Sequence, residues 1–291
     1  MAAAAPRASR REGPFRYDCF GIGVSVPVPV PTLPSTDRDP DFSVDFGAVP
    51  ASGRIIWSSG ENGERFVARE AQEGLVLEWL EARYRVSRDA AVVDGVSRQR
   101  ALEELFGPAW TVALAFRGVE TLHGSAVATP WGSVAVLGAA GMGKSTLTWR
   151  LSRAGFPLIS DDLLAIPEGS ITPLVGPAQI RLRPDLVERE AVEAELDDYG
   201  KYPVVAERAS EVPPLALMLC LSDEARYPRA AVGAEAVALL RRNLFSPVLS
   251  AEGQALRRFA LVADLAARVR IMEAPPRRLR VSDIVRLLEA L

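Results

Sequence analysis

A glycine-rich stretch in the middle of the chain could bind phosphate. Residues 138–145 read Gly-Ala-Ala-Gly-Met-Gly-Lys-Ser and fit G-x-x-x-x-G-K-[ST] at every fixed position. Glycines let main-chain N–H groups turn inward around phosphate oxygens, because no Cβ blocks that conformation. The lysine of such a loop lies on the outer phosphates, and the next hydroxyl is a ligand of Mg²⁺. The pattern predicts a nucleotide-binding loop made of Gly138, Ala139, Ala140, Gly141, Met142, Gly143, Lys144, Ser145 and Thr146.

Two adjacent carboxylates, Asp161 and Asp162, follow 17 residues after Lys144. A helix of about ten residues and one short strand fill that interval. We therefore expect the pair at the C-terminal end of a strand beside the loop's own strand, where ligands of such sheets bind. One carboxylate could hold Mg²⁺, and the other could accept a proton from an attacking hydroxyl. The alternative is a turn or helix-capping pair before Leu163.

The chain has one histidine, His123, and two lysines, Lys144 and Lys201. Mechanisms that need two histidines are therefore excluded. A hairpin over residues 123–132 would bring the histidine strand beside the strand of the loop. His123 could then tune the proton affinity of the acidic pair or contact phosphate. The alternative is a histidine of the surface or the core.

Periodicity predicts the elements that position these residues. A buried strand over 133–138 enters the loop, and a helix over 144–153 leaves it and ends at Gly155. This context favours a phosphate loop over a strand-to-helix turn that binds nothing. A strand over 156–160 precedes the acidic pair, and residues 215–221 form a buried strand. We expect helices over 234–244, 251–266 and 280–291, the last capped by Ser282.

The N-terminal third of the sequence has a different pattern, made of short segments that favour strands. Residues 20–26, 42–46, 54–57, 74–79 and 90–94 favour strands, although 74–79 could also be helical. Prolines at 27, 29, 31 and 34 prevent a central strand there. A short helix over 98–106 ends near Gly107 and Pro108. We expect a disordered tail over 1–16, a β-rich lobe over 17–108 and a P-loop domain over 109–291.

Composition excludes several classes of protein. Hydrophobic residues make up 48% and charged residues 24%, which is ordinary for a globular protein, and the net charge is −3. We expect neither a nucleic-acid nor a membrane partner, since there is no strong positive field and no apolar run of about 18 residues. Cys19 and Cys220 form no disulfide or zinc pattern. No secretory signal is evident, and we expect a cytoplasmic protein.

Three motifs together resemble the catalytic core of the HPr kinase/phosphorylase family. These are Leu-His-Gly-Ser-Ala-Val from residue 122, the phosphate loop, and the strand ending Ser-Asp-Asp at 160–162. The resemblance implies an α/β fold of the HPr kinase and phosphoenolpyruvate carboxykinase type with a smaller β-rich lobe. It also implies ATP, Mg²⁺, a serine acceptor and a homo-oligomer. By position, Asp161 matches the family's general base and Asp162 its neighbour near the metal. His123, Lys144 and Ser145 match the active-site histidine, the phosphate ligand and the Mg²⁺ ligand.

One segment departs from that family. The bifunctional enzymes carry a Glu-Ile-Arg-Gly-type signature after the acidic pair, whereas residues 176–185 here read Gly-Pro-Ala-Gln-Ile-Arg-Leu-Arg-Pro-Asp. This difference argues against phosphorylase activity and against HPr as the substrate. The segment is similar to HPr-kinase-like proteins of peptide-biosynthesis clusters, some of which phosphorylate the C-terminal serine of a lasso-peptide precursor. Arg181, Arg183 and Lys201 could grip phosphate or an acidic substrate end, or could be solvated charges.

We therefore expect an ATP- and Mg²⁺-dependent kinase with Asp161 as base, Lys144 and His123 in the catalytic site, and Ser145 and Asp162 at the metal. The acceptor is expected to be a serine of a peptide or small protein, with a lasso-type precursor favoured. Two alternatives stay open. One is an HPr-type serine kinase of carbon regulation, and the other is a nucleotide-gated binding protein that transfers no phosphate.

Overall fold

A computed structural model describes residues 14–61, 64–79, 81–190, 192–197, 200–245 and 252–290. These residues form two eight-stranded sheets, one two-stranded sheet and several helices, so the protein is of the mixed α/β class. Within this part of the chain, no helix has the length and apolar character needed to cross a membrane. Residues 1–13 of the expected tail lie outside the described residues.

The first sheet is built by the N-terminal region. Its strand order is β1-β2-β3-β8-β7-β6-β5-β4. The strands are β1 (Phe15–Cys19), β2 (Ile22–Val26), β3 (Phe42–Phe46), β4 (Ile55–Glu61), β5 (Glu64–Glu70), β6 (Leu75–Trp79), β7 (Ala82–Val86) and β8 (Ala90–Gly95). The expected strands are present, and residues 75–79 are a strand rather than a helix. The sheet begins at Phe15, inside the segment that we expected to be a tail.

A helical segment packs on this sheet. It consists of α1 (Arg98–Glu104), a π-helical turn (Leu105–Ala109) and α2 (Trp110–Ala115). The predicted helix end near Gly107 and Pro108 is confirmed, because Gly107 departs from helical geometry (φ −102°, ψ −124°) and a separate helix begins at Trp110. The indole of Trp110 is fully buried, with its ring 4.9 Å from that of Phe42.

The second sheet carries the phosphate loop, and its main strand order is β11-β9-β10-β15-β18-β16, with β12 and β17 also paired to β9. The strands are β9 (Val119–Thr129), β10 (Gly132–Leu137), β11 (Leu158–Ser160), β12 (Leu163–Pro167), β15 (Leu215–Leu221), β16 (Arg229–Ala231), β17 (Leu244–Phe245) and β18 (Arg270–Ala274). The separate two-stranded sheet pairs β13 (Gln179–Leu182) with β14 (Tyr202–Val205).

Helices cover both faces of the second sheet. They are α3 (Lys144–Arg153), α4 (Pro184–Glu190), α5 (Ala234–Arg242), α6 (Glu252–Arg268) and α7 (Val281–Glu289). Alternate residues of β10 face opposite cores: Ala135 and Leu137 belong to the core with α5 and α6, and Val136 to the core with α3 and α7. Burial on both faces explains why β10 is apolar from Val134 to Leu137.

Two local expectations need correction. Ser282 does not cap α7, because the cap is Arg280, whose main-chain N–H donates to Asp283 Oδ2 over 3.0 Å. The strand of the acidic pair, β11, does not lie beside β10. The predicted β9–β10 hairpin is confirmed, and β9 is therefore the neighbour of β10 on this side of the sheet. β11 pairs with the other side of β9. Both β10 and β11 are antiparallel to β9, so their C-terminal ends still meet at one edge of the sheet.

Candidate phosphate-binding site

The loop between β10 and α3 takes its shape from three glycines. Gly138, Gly141 and Gly143 have φ values of 150°, 81° and 97°. Side chains with a Cβ rarely adopt this region, whereas glycine does so without steric cost. Gly143 is the residue before α3, so the N–H groups of the first helical turn point toward the loop. The fold therefore requires the spaced glycines of the sequence motif and leaves a helix N-terminus facing the loop.

Lys144 folds back over the loop. Its Nζ donates to the carbonyl oxygens of Gly138 (2.8 Å) and Ala139 (3.1 Å), and it lies 2.9 Å from His123 Nε2. The residue is only 5% exposed. Burial lowers the pKa of the Lys144 ammonium, and the carboxylates of Asp162 and Asp161 oppose that shift. The ammonium is thus a preplaced cation whose present partners are neutral groups that a phosphate could replace.

His123 is held in one tautomer by its two neighbours. Its Nδ1 lies 3.2 Å from the carbonyl oxygen of Asp162, which can only accept, so Nδ1 carries the proton. Its Nε2 must then accept from the Lys144 ammonium. Burial, with the charge of Lys144, lowers the pKa of His123, in agreement with a neutral ring. Phe245 stacks on the ring with 5.4 Å between centroids. His123 therefore orients Lys144 rather than adding a second positive charge.

Asp161 lies directly against the loop. Its Oδ1 accepts from the hydroxyl of Ser145 over 3.2 Å, and its Oδ2 accepts from the main-chain N–H of Arg181 over 3.1 Å. Burial, followed by the charge of Asp162, raises the pKa of Asp161 to about 7. A carboxylate with such a pKa can take up and release a proton near neutral pH.

Asp162 has a strained backbone and a different environment. Its φ is 62°, a region that non-glycine residues rarely occupy. Its carbonyl oxygen accepts from Gly124 N over 3.3 Å as well as from His123. The charge of its carboxylate acts on Lys144 more strongly than that of Asp161. Asp161 thus contacts the hydroxyl of Ser145, and the charges of both carboxylates act on the ammonium of Lys144.

The side-chain oxygen atoms of Ser145, Asp161 and Asp162 fit a magnesium ion better than a transition metal. Within the described residues, no three His, Cys, Asp or Glu side chains form a metal-binding cluster. Mg²⁺ usually keeps several waters and takes one or two carboxylates together with phosphate oxygens. The hydroxyl of Ser145 and the carboxylates of Asp161 and Asp162 form such a set of hard oxygen donors.

The structure separates the three candidate cations. Arg181 lies on β13 with its N–H on Asp161, and its side chain is 3.9 Å from that of Asp197. Lys201 directly precedes β14, the partner of β13, and its charge adds to burial in lowering the pKa of Lys144 and His123. Arg183 instead pairs with Asp185 over 3.1 Å. Arg181 thus lies beside Asp161 through its main chain, and Lys201 lies close enough to Lys144 and His123 for its charge to act on them.

A cavity of about 320 Å³ opens beside the loop. Thr146 and Leu147 of α3 line it, and so do Leu221 and Leu279. Four arginines complete its walls: Arg150, Arg183, Arg189 and Arg277. Apolar side chains with guanidinium groups are suited to a nucleoside that carries phosphate. Of these arginines the sequence motifs identify only Arg183, because the others come from separate helices and a turn.

Arg277 makes a direct contact with the loop that the motif analysis missed. Its Nη2 donates to the carbonyl oxygen of Gly141 over 2.9 Å, and its φ is 61°. Gly143 lies close by, because a Cβ added there would be 3.4 Å from Arg277 Cγ. No sequence signal singles out Arg277 beyond its place after Pro275 and Pro276. Tertiary structure brings the turn after β18 onto the outer face of the loop.

A second cavity, of about 330 Å³, lies next to His123. Gly138, Ala139, Arg242 and Asn243 are among its lining residues. The carbonyl oxygen of Asn243 accepts from the main-chain N–H of His123 over 2.7 Å. The end of α5 thus supports the histidine, which the sequence analysis did not foresee. Asp161 and Asp162 line neither of the two cavities.

Comparison with known proteins yields a distant similarity to solved structures. No family model matches the chain, and no curated protein matches it. Among solved structures, the chain is similar to the Hpr(Ser) kinase/phosphatase from Coxiella burnetii at 15% sequence identity and a TM-score of 0.30. The match covers 59% of this chain and 88% of that chain. A similarity of this size assigns the chain to no family.

Proposed function

We propose that the protein is an ATP- and Mg²⁺-dependent kinase that phosphorylates a serine hydroxyl of a peptide or small protein. This proposal depends on the contact between Ser145 Oγ and Asp161 Oδ1 at 3.2 Å. Ser145 directly follows the buried Lys144. A phosphate ligand, a metal ligand and a titratable carboxylate are thereby joined in one cluster. A loop that only held a nucleotide would not need a carboxylate with a pKa near 7.

Each residue has a distinct part in the transfer. The acceptor oxygen forms a bond to the γ-phosphorus, the bond from that phosphorus to the β–γ bridging oxygen breaks, and ADP leaves. Asp161 takes the proton of the attacking hydroxyl. The ammonium of Lys144 and the loop N–H groups stabilise the charge that develops on the phosphoryl oxygens. Ser145 and Asp162 would hold Mg²⁺, which would supply positive charge to the phosphates of the nucleotide.

His123 serves this chemistry by keeping Lys144 in place. As a neutral ring that accepts from the ammonium, it fixes the direction of Nζ without repelling it. Protonation of Nε2 would put two positive groups 2.9 Å apart. The depressed pKa of His123 therefore matches a role as an orienting group for Lys144.

The cations beside Asp161 suit an acceptor with an acidic end. Arg181 and Lys201 belong to the β13–β14 region next to the acidic pair, and a guanidinium or ammonium group can bind a carboxylate there. We propose a serine near the C-terminus of a lasso-type precursor peptide as the acceptor. The nucleoside would occupy the arginine-lined cavity beside Thr146.

The test is transfer of label from ATP carrying a labelled γ-phosphate. The acceptors are peptides ending in serine, the same peptides amidated at the C-terminus, and HPr. We expect Mg²⁺-dependent phosphoserine on the peptides with a free carboxylate, found by mass spectrometry, and none with Asp161→Asn. Nucleotide binding by calorimetry without labelling of any acceptor would instead support the nucleotide-gated protein. Labelling of HPr alone would contradict the peptide acceptor.

A further inference from the structure

The N-terminal lobe reaches the catalytic carboxylate through one hairpin. The tip of the β1–β2 hairpin is Phe20-Gly21, and Phe20 is 1% exposed with a φ of 53°. A buried aromatic residue in the left-handed region is held there by its surroundings, and such residues gather at functional sites. Its surroundings are not confined to its own lobe. The main-chain N–H of Phe20 donates to the carbonyl oxygen of Val175 over 3.0 Å.

The ring of Phe20 fills a space that only glycine leaves open. A Cβ added to Gly176 would lie 2.6 Å from Phe20 Cζ and 3.2 Å from the Cβ of Ser160. The ring, the glycine and Ser160 therefore meet at one point. Ser160 is fully buried, and its Oγ has no hydrogen-bond partner among the described residues. Packing, rather than side-chain hydrogen bonding, thus holds the residue that directly precedes Asp161.

The same segment also binds Asp161 directly. Gly176 N donates to the carbonyl oxygen of Ile159 over 2.8 Å, and five residues later the N–H of Arg181 donates to Asp161 Oδ2. Residues 174–181 thus run between the hairpin tip and β11, with contacts to both. A second set of contacts joins β1 to β11. Asp18 Oδ1 of β1 lies 3.5 Å from Nη2 of Arg208, and Arg208 forms an isolated β-bridge with Leu158 of β11.

We propose that Phe20 is a positioning residue, through which the N-terminal lobe sets the place of Asp161 relative to the phosphate loop. The ring presses on Gly176 and Ser160, and so fixes the end of β11 and the segment that carries the N–H of Arg181. The proposal rests on the proposed kinase function and gives the lobe a part in it. Phe20 contacts Val175 and Gly176, and its effect passes through that segment to Asp161.

The kinetic test uses Phe20→Leu, Phe20→Ala and Gly176→Ala, with Phe42→Ala as matched control. Phe42 is an equally buried phenylalanine of the same lobe, packed on Trp110 instead of on residues 174–181. A small displacement of a catalytic group can lower kcat by about 10- to 100-fold. We expect that loss for the first three variants, with KM for ATP within about twofold of the wild-type value. Equal losses for Phe42→Ala would overturn the proposal.

A compensating pair separates positioning from simple instability. Leucine lacks Cζ and Cε1, the two ring atoms that a Cβ on residue 176 would strike. The double variant Phe20→Leu/Gly176→Ala should therefore recover kcat relative to Gly176→Ala alone. If the two losses simply multiply, the ring and the glycine act independently and the proposal is wrong.

A measurement that does not depend on catalysis tests the positioning role of Phe20 separately from the proposed kinase function. The carboxyl of Asp161 can be titrated by NMR in protein labelled with ¹³C-aspartate, with its signal assigned by Asp161→Asn. Its charged neighbours, Asp162, Lys144 and Arg181, are the same in every variant. Phe20→Leu and Gly176→Ala should move the midpoint, and Phe42→Ala should not. Moved midpoints in a protein that phosphorylates nothing would support the positioning role and refute the kinase, whereas unchanged midpoints would refute the positioning role.

Discussion

The hydroxyl of Ser145 lies 3.2 Å from the carboxylate of Asp161, although the strands that lead to these two residues are not neighbours. β9 separates β10 from β11, and α3 packs on β9, where the hydroxyls of Ser125 and Thr148 lie 2.6 Å apart. His123 lies on that intervening strand, so it comes between the loop and the acidic pair. The β9–β10 hairpin therefore brings the ring of His123 within 2.9 Å of the Lys144 ammonium.

Asp161→Asn should abolish transfer while preserving nucleotide binding. The amide cannot take a proton, and general base catalysis contributes about 10²- to 10⁴-fold to rate. We expect kcat to fall by about that factor, measured by labelled phosphate transfer at pH 7.5. The Kd for ATP, measured by calorimetry, should change little because Lys144 and the loop are intact. Transfer at the wild-type rate would contradict the role of Asp161.

The rate should depend on pH through Asp161. Its raised pKa of about 7 means that the base is protonated, and inactive, in mildly acidic solution. The profile of kcat/KM, which reports the free enzyme, should therefore rise through about pH 7 and then level off. Because burial lowers the pKa of Lys144, an alkaline decline should begin below the ordinary lysine value. A profile flat from pH 5 to 8 would contradict this prediction.

The free energy of unfolding should change with pH in the opposite direction to the rate, because it depends on the same Asp161 carboxyl. In the unfolded chain an aspartate titrates near pH 4, so between about pH 4 and 7 only the folded protein keeps this proton. The free energy of unfolding contributed by Asp161 therefore falls as the pH rises through that window. Asp161→Asn should stabilise the protein at pH 8 by on the order of a few kcal/mol, and much less at pH 5.

Urea denaturation at the two pH values measures this difference. Asp39→Asn is the control, because its side chain is 97% exposed and lies far along the chain from the site. The control should show the same small change at both pH values. A destabilised Asp161→Asn at pH 8 would show that the carboxylate is a net structural support.

Arg277→Ala should weaken nucleotide binding more than catalysis. The substitution removes the donor to Gly141 O and one guanidinium of the cavity beside the loop. A hydrogen bond of this kind contributes about 1 kcal/mol, so we expect about a fivefold weaker Kd for ATP, with kcat at saturation little changed. Arg278→Ala, its exposed neighbour, is the matched control. Equal effects of the two variants on Kd would point to general electrostatics.

Much of the local structure could be predicted from the sequence. The glycines of the loop, the strand before it and the helix from Lys144 to Arg153 follow from spacing and hydrophobic pattern. The β9–β10 hairpin and the buried strand at 215–221 were predicted for the same reason. The helix end near Gly107 was also predicted, because glycine followed by proline interrupts a helix. The cap at Ser282 is wrong, since the capping contact of Asp283 with the main-chain N–H of Arg280 outweighed local preference.

What the sequence by itself determined is therefore the loop and its chemistry, since a run of eight residues carries both the backbone conformation and the reactive groups. Tertiary structure alone decided that β9 lies between β10 and β11, that Arg277 contacts Gly141, and that Phe20 packs on Gly176. The physical reason is that none of these arrangements is local. Arg277 and Phe20 contact residues more than a hundred positions away, and the order of β9, β10 and β11 depends on which strands pair in the folded sheet, so none of them leaves a periodicity in the sequence.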